Sequence, residues 1–180
     1  NLKNIEAARL TCQLLGITEK GFYTAISSFK GAANRLELLA KNDRTIVFKD
    51  FAHAPSKVLA STMAVKKNFA DFKLVACLEL HTFSSLSKEF LKEYKDKLKF
   101  ADDPIVFFSP QTVEHKKLPP INATDIQNGF ITKNLKIFSD KNALQDYLLA
   151  QKWDKKALLM MSSGKFDGLN LPELAQKIVG

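Results

Sequence analysis

Apolar residues recur at three- to four-residue intervals at Ile5, Ala8, Cys12 and Leu15, which predicts a helix closed by Gly16 as a left-handed cap. Residues 1–29 read as helical throughout. Thr18 caps a second helix whose apolar face is Phe22, Ile26 and Phe29, and Lys30-Gly31 leads out of the pair. The period then changes. Leu36–Ala40 and Thr45–Phe51 are apolar and β-branched runs around the turn signal Lys41-Asn42-Asp43-Arg44, the pattern of a β-hairpin. Pro55 opens a helix at its first turn, where a missing N–H costs nothing. Val58, Leu59, Thr62, Met63, Lys66 and Phe69 carry its inner face.

From there strands and helices alternate. Leu74–Leu80 is a nearly continuous apolar strand, and Leu86, Phe90, Leu91, Tyr94 and Leu98 give a helical face. Pro104–Phe108 is a short strand, and residues 109–128 read as loop or short irregular helix. Leu135–Ser139 and Ala157–Ser162 are strands. Between them Ala143–Gln151 is a helix with Leu144, Tyr147 and Leu148 inward. Asn170, Pro172 and Glu173 open a final helix in the manner of a capping box. Strands buried on both faces between amphipathic helices predict an α/β fold. Its sheet is Rossmann-like, mostly parallel, of about six strands with one antiparallel, and has helices on both faces. Ligands of such sheets sit beyond the carboxyl ends of the strands, here Asp50–Pro55, Leu80–Ser85, Ser109–Gln111 and Ser162–Gly168.

Composition narrows the classes. The 180 residues are 46% hydrophobic with 7 glycines and no low-complexity tract, which excludes collagen, coiled coil and bulk disorder. No apolar run approaches the roughly 18 residues of a membrane span. The chain opens on Asn1-Leu2-Lys3 without an initiator Met or a signal-peptide layout, and reads as a piece cut from a longer protein. Cys12 and Cys77 fit neither a disulfide scaffold nor a zinc site. They read as buried free thiols, which favours a reducing cytoplasm. The formal charge is +8, yet only Arg9, Arg35 and Arg44 are arginines. The lysines fall on polar helix positions such as Lys66, Lys67, Lys92, Lys95 and Lys97, so a solvated face accounts for them better than a nucleic-acid patch.

The Gly-rich dinucleotide turn, the P-loop, His-Glu-x-x-His, the EF-hand loop and the nucleophile elbow do not occur. Four polar segments stand out instead: Asn34–Glu37, Asp50–Pro55, Glu79–Ser85 and Met161–Gly168. Asp50 and His53 stand at a strand end just before a helix N-terminus, which favours anions. Each segment has a plain alternative. Asp50 caps the helix, His53 and His81 are satisfied structural residues, and Arg35 with Glu37 is an exposed pair of little consequence. His115, in the polar loop, receives no role.

Taken in order, Phe29-Lys30-Gly31, Asn34-Arg35-Leu36-Glu37 and Asp50-Phe51-Ala52-His53-Ala54-Pro55 resemble the F-x-G-x-x-x-R-x-E and D-[YF]-[AG]-H-x-P patterns of the Mur ligase C-terminal domain. These bacterial cell-wall enzymes use ATP to form amide bonds on UDP-N-acetylmuramoyl precursors of peptidoglycan. The resemblance covers the whole chain. It implies that residues 1–30 are the last helices of the central ATPase domain and 31–180 the complete C-terminal Rossmann-like domain. The Asp-Phe-Ala-His form resembles the branch that uses UDP-N-acetylmuramate directly. Within it, Met161-Ser162-Ser163-Gly164-Lys165-Phe166-Asp167-Gly168 is similar to members that add the tripeptide L-alanyl-γ-D-glutamyl-meso-diaminopimelate in peptidoglycan recycling. His81-Thr82-Phe83-Ser84 is similar to members that add L-alanine, but Ser85 stands where those carry an Arg for the amino acid.

By the same resemblance, Arg35 and Asp50 contact ATP. Asp50 would accept from ribose hydroxyls, and Arg35 would neutralise phosphate. Phe51, His53, His81, Thr82, Ser162, Ser163, Gly164 and Phe166 would bind the acceptor, with the Ser and Gly of the last segment offering hydroxyls and N–H groups to a carboxylate. ATP and Mg²⁺ would be bound mainly by the missing N-terminal and central domains. No catalytic residue or metal ligand is assigned here, and the piece alone is expected to be inactive, cytoplasmic, and without nucleic-acid or membrane partners. The competing readings are the L-alanine acceptor, the folate polyglutamate-adding relatives, and a non-catalytic basic α/β module that binds a polyanion.

Overall fold

A computed structural model describes residues 2–29 and 31–180, without the side chain of Leu2. Lys30, and with it the junction at 30/31, lies outside the described residues. The chain forms two compact units, Asn1–Ala32 and Ala33–Gly180.

In the first unit, α1 (Leu2–Leu14) and α2 (Glu19–Ile26) are separated by a turn at Gly16, whose φ of +83° is the left-handed cap expected there. Thr18 caps α2 by accepting the N–H of Gly21 at 3.2 Å. Phe22 is buried, whereas Leu15 and Phe29 are exposed. Cys12 is only half-buried, because α1 has a single turn-and-helix partner to cover it within the unit; this corrects the expectation of a buried thiol.

The second unit is an α/β sandwich around six strands. In chain order these are β1 (Glu37–Lys41), β2 (Thr45–Asp50), β3 (Lys73–Leu80), β4 (Asp103–Phe108), β5 (Lys136–Phe138) and β6 (Lys156–Met161). In space they run β1-β2-β6-β3-β4-β5. Only the β1–β2 hairpin is antiparallel, with an irregularity between Leu38 and Ala40. The other neighbours are parallel, and β6 enters between β2 and β3. The period-2 alternation splits the strands cleanly between two cores. Ile46, Phe48, Leu74, Ala76, Leu78, Leu159 and Met161 face one side with α3 (Pro55–Asn68) and α6 (Ala123–Phe130). Val47, Val75, Cys77, Leu158 and Met160 face the other with α7 (Lys141–Leu149) and α8 (Leu171–Val179).

Several helices differ from expectation. In α3 the inward residues are Val58, Thr62 and Val65. Met63 is exposed, because the helical spacing from Val58 passes through 62 and 65. The apolar series Leu86–Leu98 does not make one helix. It makes α4 (Lys88–Leu91), a 3₁₀ turn at Lys92–Tyr94 and further turns, broken where Asp96 takes φ +60°. Its members are nonetheless buried, except the half-buried Phe90, since successive turns also bring them back to the sheet. Residues 109–128 contain α5 (Pro110–His115) and the greater part of α6. A reciprocal capping box between Asn122 and Asp125 starts α6, a signal as local as the Asn170 cap that accepts Glu173 N–H on α8 at 3.2 Å.

Candidate functional site

The clusters singled out in the sequence follow β2, β6 and β3, three neighbouring parallel strands, so they share one end of the sheet. Ser162 N–H donates to the Asp50 carbonyl at 3.0 Å and ties the first two together.

After β2, Asp50 is buried and its carboxylate holds the chain on both sides. Oδ2 accepts the Leu36 N–H at 2.7 Å, and Oδ1 accepts the Ala52 N–H at 2.7 Å and the Ser61 hydroxyl at 3.2 Å. It does not cap α3, whose N-cap is Ala54 without a side-chain bond. Arg35 is exposed and makes no ion pair among the described residues, and Glu37 instead accepts the Asn34 N–H at 2.8 Å. Phe51 lies outside the strand, exposed, with its ring edge-on to His53 at 5.1 Å. His53 Nδ1 is 2.8 Å from the Phe51 carbonyl. A carbonyl only accepts, so Nδ1 carries the proton and the lone pair of the neutral ring is on Nε2. Tyr94 donates to the His53 carbonyl at 2.6 Å, and burial pushes its phenol well above the ordinary range.

After β3, Thr82 and Ser85 lock each other. Thr82 N–H and hydroxyl donate to Ser85 Oγ, while Ser85 N–H and hydroxyl donate to Thr82 Oγ1 and carbonyl, all at 3.0–3.1 Å. Ser85 is buried. The exposed Phe83 has the Lys116 ammonium 4.3 Å above its ring, a cation–π contact. At the end of β4, Ser109 turns out to cap α5 by accepting the Thr112 N–H, and this accounts for its position.

The loop after β6 corrects an expectation. Its donors point inward, not toward a ligand. The Ser162 hydroxyl donates to Glu79, Gly164 N–H donates to Ser162 Oγ at 2.6 Å, and Phe166 N–H donates to Glu79 Oε2 at 2.9 Å. The Phe166 ring is buried against Phe107. A carboxylate at 2% exposure on β3 organises the loop, because a buried charge must find donors and this loop supplies them. What the segment leaves for a ligand is the Ser163 hydroxyl, buried without a partner, and the exposed Lys165. A cleft of about 270 Å³ runs beside it, lined by Lys49, Ser162, Gly164, Lys165, Asn170 and Pro172.

Glu79 received no role from the sequence. Its signal was there: an acid inside an otherwise apolar strand is rarely buried without a purpose. Its Oε1 faces His81 Nδ1 at 3.7 Å. Gly164 packs so closely on this pair that an added Cβ would lie 2.6 Å from the His81 ring and 2.9 Å from Glu79 Oε2. The lost side chain is therefore what permits the approach, and its N–H is already spent on Ser162. Burial, aided by the Glu79 charge, pushes the Cys77 thiol up. Among the described residues no group of three or more His, Cys, Asp or Glu side chains is placed to hold a metal ion, and no helix is long and apolar enough to cross a membrane.

No protein-family model matches the chain. It is 25% identical over 167 residues to the UDP-N-acetylmuramate–L-alanine ligase of Phocaeicola vulgatus, covering 93% of this chain and 36% of that protein. Its fold superposes on a murein peptide ligase from Psychrobacter arcticus with a TM-score of 0.69 and 22% identity, over 99% of this chain and 37% of that one. The chain is a relative of the Mur ligases. It matches their C-terminal domain, and spans about a third of the length of the curated relatives it matches. A second Mur-type structure, the MurF ligase of Thermotoga maritima in complex with ADP, superposes with a TM-score of 0.65 and 20% identity, over 99% of this chain and 37% of that one.

Proposed function

We propose that this chain is the acceptor-side portion of a longer ATP-dependent ligase that joins UDP-N-acetylmuramate to the tripeptide L-alanyl-γ-D-glutamyl-meso-diaminopimelate. Residues 1–30 would close the central ATPase domain, and 31–180 would form the C-terminal domain. The observation that carries this reading is the convergence of Asp50–His53, His81–Thr82 and Ser162–Gly168 at the ends of three adjacent parallel strands. The chain holds no phosphate-binding loop, so ATP and Mg²⁺ would rest mainly on the missing domains. Arg35, exposed and unpaired among the described residues, would reach the phosphates when the domains close. Asp50 would meet the ribose with the one lone-pair position its three internal bonds leave open.

The acceptor would sit among Phe51, His53, His81, Thr82, Ser163 and Lys165, while Ser162, Gly164 and Phe166 shape its floor. Closing such a domain over an acyl phosphate supplies positioning and excludes water. The tripeptide is favoured over L-alanine by Ser85. It is buried with its hydroxyl committed to Thr82, so no cation stands at that position for a free amino-acid carboxylate. L-alanine is the second reading, favoured by the sequence relatives, which bear that name. Under either acceptor the 180-residue chain alone turns over no ATP. Phosphate release by the purified chain with all substrates present contradicts the division of labour proposed here.

A further inference from the structure

Amide formation from an ammonium needs a group that takes up a proton before the nitrogen can attack, and none of the roles above provides it. We propose that His81 is that base, acting through Nε2, and that Glu79 is the positioning residue that fixes its tautomer. This rests on the acceptor-side reading.

Both oxygens of Glu79 are accounted for differently. Oε2 takes the Ser162 hydroxyl and the Phe166 N–H. Oε1 accepts from no group among the described residues and faces His81 Nδ1 at 3.7 Å. That nitrogen is itself buried and without a hydrogen-bond partner. Gly164 lies against Nδ1 and shields this edge of the ring. The side chain is still 35% exposed, so the exposure belongs to the opposite edge, where Nε2 lies. A proton on Nδ1 points at an unpaired carboxylate oxygen; a lone pair there would face it. The carboxylate thus selects the Nδ1–H tautomer and leaves the Nε2 lone pair toward the strand ends. The separation, 3.7 Å, is longer than a hydrogen bond, and catalytic contacts of this kind often tighten only when substrate binds.

The step balances as follows. Nε2 takes one proton from the acceptor ammonium, and the imidazolium formed is stabilised by Glu79. The freed nitrogen lone pair forms the C–N bond at the acyl carbon of the muramoyl phosphate. The C–O bond to phosphate breaks, and phosphate leaves with that electron pair. The second amine proton departs with the phosphate.

Glu79→Gln gives a sharp test. Ser162 and Phe166 both donate, so the amide oxygen must take the Oε2 position and the NH₂ must face His81. Nδ1 then has to accept, and the ring switches to Nε2–H. Long-range ¹H–¹⁵N correlation spectra of this chain should show His81 protonated on Nδ1 when neutral, and on Nε2 in E79Q. A neutral Nε2–H ring in the unaltered chain overturns the dyad. In the full-length ligase E79Q should lower kcat by about 100-fold or more, with KM for ATP held within about twofold. His81→Gln, at a half-exposed position, should do the same without touching the buried carboxylate. Unchanged kcat in either variant of an active ligase overturns the base role. A ligase inactive with every acceptor takes down the acceptor-side reading and the base role with it, whatever tautomer the spectra show.

Discussion

Asp50 Oδ2 accepts the backbone N–H of Leu36 at 2.7 Å, and Leu36 sits at φ +49°. The bond joins the end of β2 to the segment that precedes β1, holds a non-glycine residue in the left-handed region, and so places the neighbouring Arg35. The same carboxylate accepts the buried Ala52 N–H. Asp50→Ala leaves both donors unmatched and should cost about 2–6 kcal/mol, since each stranded group costs about 1–3. Urea denaturation of the chain measures this. In the full-length ligase the variant should also raise the ATP concentration needed for half-maximal rate, and an unchanged ATP dependence removes Asp50 from the nucleotide site.

Ile131 ends α6 in the left-handed region at φ +48° while 60% exposed. A β-branched residue pays the full steric cost of that conformation, and little packing is lost with its side chain. Ile131→Gly should therefore stabilise the chain by about 1 kcal/mol, read as a higher urea midpoint at unchanged slope. A lower midpoint would mean that the Ile131 side chain contributes more than its backbone strain costs.

Burial raises the Asp102 carboxyl, but the hydrogen bonds from Lys66 Nζ and Leu74 N–H, each 2.7 Å, outweigh it and hold the group below its usual range. A carboxylate lowered in the folded state stabilises above its unfolded value of about 3.9 and loses that contribution as pH falls through the lower folded value. Asp102→Asn should therefore destabilise at pH 7, with the gap to the unaltered chain shrinking below about pH 4. A gap independent of pH would assign the effect to packing.

The two thiols should separate in labelling. Cys12 is half-buried in α1, whereas Cys77 is fully buried in β3 with its thiol pushed up. A thiol reagent should modify Cys12 in the native chain and reach Cys77 only on unfolding. Two equally fast thiols would show that β3 opens readily.

Where local chemistry decides, the sequence is legible. The hairpin over Asn42–Arg44, the Pro55 start of α3, the left-handed Gly16 and the Asn170 cap all lie where their residues put them. Leu86–Leu98 misled because helical spacing of apolar residues is also met by consecutive turns folded onto a sheet. The stretch 109–128 reads only as loop or short irregular helix because the capping box of α6 sits among prolines and asparagines. The clusters at the strand ends were legible as places, but not as bonding patterns. Whether the Ser162 hydroxyl and the Phe166 N–H face a ligand or Glu79 depends on β6 entering between β2 and β3, a relation between segments some 80 residues apart that no local pattern carries. Glu79 did carry a local signal, an acid inside an apolar strand, but its partners Ser162 and Phe166 lie in the distant loop after β6.

On the proposed function, this end of the sheet receives a peptide acceptor for an activated muramoyl carboxylate. The most direct measurement is phosphate release by the full-length ligase with ATP, Mg²⁺ and UDP-N-acetylmuramate, in parallel with L-alanine or with L-alanyl-γ-D-glutamyl-meso-diaminopimelate. Release is expected with the tripeptide and not with L-alanine. Release with L-alanine alone would contradict the assignment of the acceptor, and release with neither would contradict the ligase reading itself.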